Sequence, residues 1–282
     1  MKLLSEVLNL SIQYLKDRNV EAPRLTAETL LSHVLGIKRM DLYLDFERPL
    51  EEEELVSFRP FLKRAGLGEP IEYILGSLDF FDLEVIVSPG VLIPRQETEI
   101  LVAFVAEVLG KEDLQGKALW DVCSGSGCIG LSLKKKFPHL SVFLSDQSSD
   151  ALAICRRSME KQDLDVTLCE GDFLKPLEGR KTDFFVCNPP YISEQEYQNL
   201  SPSVRDFEPK MALVGGKTGL EFYRRLAEEL PSVLNPGARV FLGIGYRQGR
   251  DVIEIFSSSC WVKKELKQDW SGNDRFFFLE IE

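Results

Sequence analysis

The chain has almost no histidine: only His33 and His139 in 282 residues, and they stand far apart. No two cysteines have CxxC spacing, so no zinc motif can be read and no bound metal is expected. Long apolar runs are missing too; none approaches the roughly 20 residues that a membrane span needs. The opening Met1-Lys2-Leu3-Leu4-Ser5-Glu6 lacks a signal-peptide layout, and a cytoplasmic location is expected. The six cysteines (Cys123, Cys128, Cys155, Cys169, Cys187 and Cys260) are scattered through apolar segments and read as small buried hydrophobes in a reducing compartment. A positive balance is also absent. With 34 basic against 45 acidic residues the net charge is −11. Phosphate neutralisation supplies most affinity for nucleic acid, so an obligate DNA binder is disfavoured.

What remains is an ordinary globular composition, 44% apolar, long enough for one main domain and a smaller one. Residues 1 to 70 read as helical. Leu3, Leu4, Val7, Leu8, Ile12 and Leu15 keep the spacing of one buried face, and Ala27, Leu30, Leu31, Val34 and Leu35 repeat it up to Gly36. A third pattern opens on Glu51–Glu54 and closes with Lys63, Arg64 and Gly66, which suits a helix dipole and a C-cap. From Ile71 to Pro94 the pattern changes. Leu83, Val85 and Val87 alternate after Phe80-Phe81-Asp82, which predicts a short β-hairpin linking two domains.

After a helix around Ile100–Leu109, strands and helices alternate. Strands are expected at 118–123, 142–145, 166–169, 183–187 and 239–244, and helices at 129–136, 150–161 and near 220–230. This predicts a parallel sheet with helices on both faces. The last two runs, 262–270 and 275–281, meet at Gly272-Asn273, a hairpin signal. By fold analogy, a parallel sheet ending in an antiparallel hairpin points to methyltransferases more than to nicotinamide dehydrogenases.

The chemistry gathers at the strand ends. Asp121-Val122-Cys123-Ser124-Gly125-Ser126-Gly127 forms a Gly-rich strand-to-helix turn, where Gly125 and Gly127 permit close approach to a ligand. Gly130 completes G-x-G-x-x-G, so this loop alone leaves a nicotinamide cofactor open. Asp146 follows Gly127 by 19 residues, near the spacing of about 20 at which an acid holds ribose hydroxyls. After the third strand, Asp172 can accept from an adenine amine. Phe173 either covers the adenine face or fills the core.

The fourth strand ends at Asn188-Pro189-Pro190-Tyr191. An Asn side chain offers a carbonyl acceptor, Pro189 a backbone carbonyl with no N–H, and Tyr191 a flat face. Such a tip can hold a planar NH2 group with two acceptors beside an aromatic plane.

With these residues the chain resembles the release factor glutamine methyltransferases (the PrmC/HemK family). The resemblance extends to Glu69–Gly76, Leu92–Glu99 and Arg205-Asp206-Phe207-Glu208-Pro209. Asn-Pro-Pro-Tyr alone is shared with enzymes that methylate amino groups of nucleic acids; the other segments are more specific.

The resemblance implies a class I S-adenosyl-L-methionine-dependent fold: an α/β domain at 95–282 behind a small all-α substrate-recognition domain at 1–70 and a β-hairpin linker at 71–94. It implies methylation of the side-chain amide of a glutamine in the Gly-Gly-Gln motif of peptide chain release factors. The cofactor set is then Cys123, Ser124, Gly125, Ser126, Gly127, Asp146, Asp172, Phe173 and Asn188. Asn188 and Pro189 carry the catalytic grip, with Pro190 and Tyr191 completing the substrate site. Cys123 stands where many relatives have Gly, so its turn must tolerate a Cβ. Gly243 stands where an acid is expected. A monomer without direct nucleic-acid contact is expected; the rivals are a DNA or RNA amino-methyltransferase and a non-catalytic S-adenosyl-L-methionine-binding protein.

Overall fold

The computed structural model describes residues 2–282 and divides into two compact units. The first comprises residues up to Ser77 together with Ser201–Phe207. Its helices are α1 (Leu4–Lys16), α2 (Pro23–Leu35), α3 (Glu52–Gly66) and the short α4 (Ile71–Leu75). The apolar stripes meet in one core that includes Leu4, Leu8, Leu15, Leu30, Leu31 and Phe58. Glu6 and Glu54 each accept the backbone N–H three residues earlier, at 3.0 and 2.9 Å, satisfying donors that a helix start leaves free.

Ile71–Leu75 corrects the expected hairpin arm. Pro70 precedes this helical turn and Gly76 closes it at φ +82°. The hairpin itself is β1 (Ser77–Phe80) with β2 (Leu83–Ile86), a separate two-stranded sheet turning at Phe81, φ +53°.

The second unit is built on a seven-stranded sheet. After α5 (Gln96–Leu109) come β3 (Ala118–Val122), α6 (Cys128–Lys136), β4 (Ser141–Asp146), α7 (Ser149–Lys161), β5 (Thr167–Glu170), β6 (Thr182–Cys187), β7 (Leu234–Gly243), β8 (Trp261–Gln268) and β9 (Asp274–Ile281). The strand order is β5-β4-β3-β6-β7-β9-β8. The first five are parallel; β9 runs antiparallel to both β7 and β8. Asp269 makes the final hairpin turn, its carboxylate accepting from the Ser271 and Asn273 backbone at 2.8 and 3.0 Å.

Strand β7 starts five residues before the expected 239, and its register with β6 shifts between Thr182 and Phe184. That irregularity lets Pro236 and Gly237 sit in a strand that turn chemistry alone would end. The order reverses at β3, which lies between β4 and β6. Open α/β sheets bind ligands outside the carboxyl ends of their strands at such a reversal. Among the described residues, no helix is long and apolar enough to cross a membrane.

Candidate active site

The turn after β3 is tight. Cys123, Gly125 and Gly127 all have positive φ, at +58°, +53° and +79°. The conformation at Cys123 is therefore not one a Cβ accepts freely: it lies in the left-handed region, which disfavours an L side chain by about 1–2 kcal/mol. The Ser124 N–H donates to the Ser145 carbonyl at 3.1 Å, tying the loop to β4. A Cβ at Gly127 would lie 2.4 Å from Cys155 Sγ, and one at Gly130 would lie 2.2 Å from Leu144 Cδ2. Glycine at both positions lets α6 press against the sheet.

Asp146, at the tip of β4, fastens the loop. One carboxylate oxygen accepts the Gly125 N–H at 2.9 Å and the other the Ser148 N–H at 2.9 Å. Asp121 lies beneath, fully buried. Its Oδ2 accepts the Gly130 N–H at 2.9 Å, while Oδ1 has no partner. Burial pushes this carboxyl up to about 7; the Gly130 N–H opposes the shift and the Asp146 charge adds to it. Ser124 Oγ is likewise buried and unpartnered.

A cleft of about 680 Å³, open solvent at its mouth included, opens over these strand ends. Of the expected cofactor residues it brings together Cys123, Gly125, Asp146, Asp172, Phe173 and Asn188, with Pro190 from the substrate set. Ser124, Ser126, Gly127, Pro189 and Tyr191 do not line it. Asp172 is already engaged: Arg225 forks onto both its oxygens at 3.1 Å, and this guanidinium holds the carboxyl below its ordinary range. Phe173 is buried in the core and also faces the cleft, with Phe222 at its edge and the Arg225 guanidinium 4.5 Å from its ring centre.

The tip after β6 is strapped from behind. The Tyr191 carbonyl accepts Gln248 Nε2 at 2.9 Å, and Ile192 pairs with Val214 in an isolated bridge. A Cβ at Gly215 would meet the Pro190 carbonyl oxygen at 2.2 Å, so this glycine is required by space. Burial raises the Tyr191 hydroxyl pKa, opposed by the Arg275 and Arg95 charges. Asn188 Nδ2 donates to Thr98 Oγ1 of α5 at 3.5 Å.

Several cleft residues carry no local motif. Met211, Ala212 and Phe222 come from the stretch after β6, and Gly90 and Val91 from the segment after β2. Leu92 and Pro209 did have a signal, because they fall in the segments that carry the resemblance. Buried Glu208 ties those two segments together, accepting the Ile93 N–H at 3.2 Å and an ion pair from Arg95.

Comparison with known proteins decides the family. The model described as the PrmC N-terminal domain matches residues 6–76, and the methyltransferase small domain matches 83–203. The release factor glutamine methyltransferase of Geobacter sulfurreducens is 39% identical over 272 residues, covering 96% of this chain and 94% of that protein. The chain belongs to the release factor glutamine methyltransferase family.

The Bacillus cereus member is 37% identical over 262 residues, 90% of this chain and 92% of its own. Solved structures agree on the fold. A Pyrococcus furiosus methyltransferase aligns with TM-score 0.52 at 19% identity, covering 71% of this chain and 89% of that one. The Thermus thermophilus 16S rRNA N2 G1207 methyltransferase, solved with AdoMet and guanosine, aligns with TM-score 0.53 at 17% identity, covering 73% and 50%. At such identities the likeness is one of fold alone, and the family assignment rests on the closer relatives.

Proposed function

We propose that this protein transfers a methyl group from S-adenosyl-L-methionine to the side-chain amide nitrogen of the glutamine in the Gly-Gly-Gln motif of peptide chain release factors. One observation supports the reading: Asn188 and Pro190 of the Asn-Pro-Pro-Tyr tip line the same cleft as Gly125, Asp146 and Phe173. The cleft suits the donor. It offers a half-buried carboxylate for ribose hydroxyls and an aromatic face for adenine. When bound, the donor supplies an electrophilic methyl on a sulfonium.

The residues of the chain supply orientation and charge stabilisation. An amide nitrogen is a poor nucleophile because its lone pair is delocalised into the carbonyl. The Asn188 side-chain carbonyl and the Pro189 backbone carbonyl accept its two N–H groups, holding it in line and favouring the positive charge that develops on attack. The methylated nitrogen is then strongly acidic and loses a proton to solvent, so no dedicated base is assigned and neither histidine takes part. Cys123, Gly125, Asp146, Asp172 and Phe173 face the donor on a loop that Ser124, Ser126 and Gly127 complete; Tyr191 lies beside the amide. The helical unit docks the release factor. The protein acts as a monomer in the cytoplasm without binding nucleic acid directly.

Incubation with radiolabelled S-adenosyl-L-methionine and either full-length release factor or nucleic acid tests this. Label on the release factor is expected. Label on nucleic acid alone would replace the reading with that of a base amino-methyltransferase, and label on neither would favour a binding protein.

A further inference from the structure

Gly243 ends β7, beside the tip. Cys187 pairs with Leu242 in the parallel β6–β7 ladder, so Asn188 and Gly243 are the next pair along. The Gly243 φ is not in the left-handed range, so the backbone does not demand glycine there. Space does. A Cβ at Gly243 would stand 2.2 Å from Asn188 Oδ1, 2.9 Å from its Cγ and 3.4 Å from its Cβ. Non-bonded heavy atoms settle near 3.5–4.0 Å, so the amide would have to move by roughly 1 Å or more.

The strand has little freedom to retreat instead. The Gly243 carbonyl accepts the hydroxyl of fully buried Tyr223 at 2.8 Å. On the other side, buried Thr98 receives the amide NH2. The carboxamide is thus seated between α5 and a notch in β7.

We propose that Gly243 is a positioning residue for Asn188: the missing side chain at the end of β7 creates the seat that fixes where the tip presents its acceptor. This rests on the role given to Asn188 above. In the geometry of this chain, any side chain at 243 has to displace the Asn188 amide from its seat.

The test is Gly243→Ala. A misplacement of about 1 Å near reacting groups lowers rates by the order of 10²-fold. The kcat for release-factor methylation is expected to fall by that order, while calorimetric S-adenosyl-L-methionine affinity and the KM for release factor stay near wild type. In an Asn188→Ala background the same change should lower the residual rate no further. A second readout needs no activity. The Asn188 side-chain NH2 signals in the ¹⁵N–¹H spectrum, assigned by their loss in Asn188→Ala, should shift in Gly243→Ala.

Unmoved signals, or an unchanged kcat, would overturn the proposal. If Gly243→Ala does not fold, adding Asn188→Ala must restore folding, because the two contacts under 3 Å are then gone; failure to restore it would equally overturn the seat. A wild-type protein inactive on release factor would refute the function instead, while the NH2 signals still judge the seat.

Discussion

Replacing Asp121 with Asn should reverse part of the pH dependence of stability. Asp121 is fully buried, with one oxygen on the Gly130 N–H and the other without a partner. Its carboxyl is raised from 3.8 to about 7, chiefly by burial. At about 1.36 kcal/mol per unit, ionising this group in the folded protein costs on the order of 4 kcal/mol. The folded state therefore keeps a proton that the unfolded chain has released between these two values. Its contribution to stability is full below the unfolded pKa, falls as pH rises, and is lost above about 7. The neighbouring Cys128 and Cys155 thiols are pushed up by burial, Cys128 to about 12, and stay protonated throughout. Asp146 is present in both proteins. Asn keeps the acceptor for Gly130 and cannot ionise. Urea unfolding should find the stability difference, Asp121→Asn minus wild type, growing as pH rises between these two values, by about 2–3 kcal/mol from pH 5 to pH 8. Parallel pH profiles would refute the argument.

Other perturbations follow the same logic. Asp146→Ala removes the acceptor for the Gly125 and Ser148 N–H groups. Charge-assisted bonds are worth roughly 1.5–3 kcal/mol each, so calorimetry should show S-adenosyl-L-methionine affinity weakened by tenfold or more. Arg95→Ala leaves Glu208, whose side chain is only 1% exposed, without its ion-pair partner. Arg95 is itself partly exposed, so the expected loss is about 2 kcal/mol, less than for a wholly buried pair. Denaturant unfolding would read it, and Glu208→Gln in the same background should recover part of the loss.

Much of the catalytic unit was legible because parallel strands buried on both faces leave unbroken apolar runs. Phe184–Cys187 shows this, the run stopping at Asn188 and Pro189 of the strand end. Ile71–Leu75 was not legible: five residues are too few to show a helical period, and the alternation further on drew the whole segment toward a hairpin. The start of β7 was hidden by Pro236-Gly237, which turn chemistry ends and a register shift in the sheet accommodates. The Arg225 clamp on Asp172 spans 53 residues and leaves no local trace. Gly243 was visible as a departure from the family pattern, but only the fold shows that Asn188 fills the space.

The most direct test of the central claim separates methyl transfer from donor binding at Asn188. Wild-type protein, release factor and labelled S-adenosyl-L-methionine should give one added methyl on the Gly-Gly-Gln glutamine, located by mass spectrometry of the digested release factor. Asn188→Ala should lose nearly all of that transfer while calorimetry finds its donor affinity little changed. Equal loss of both would make Asn188 a donor ligand only, and methylation by Asn188→Ala at the wild-type rate would contradict the account outright.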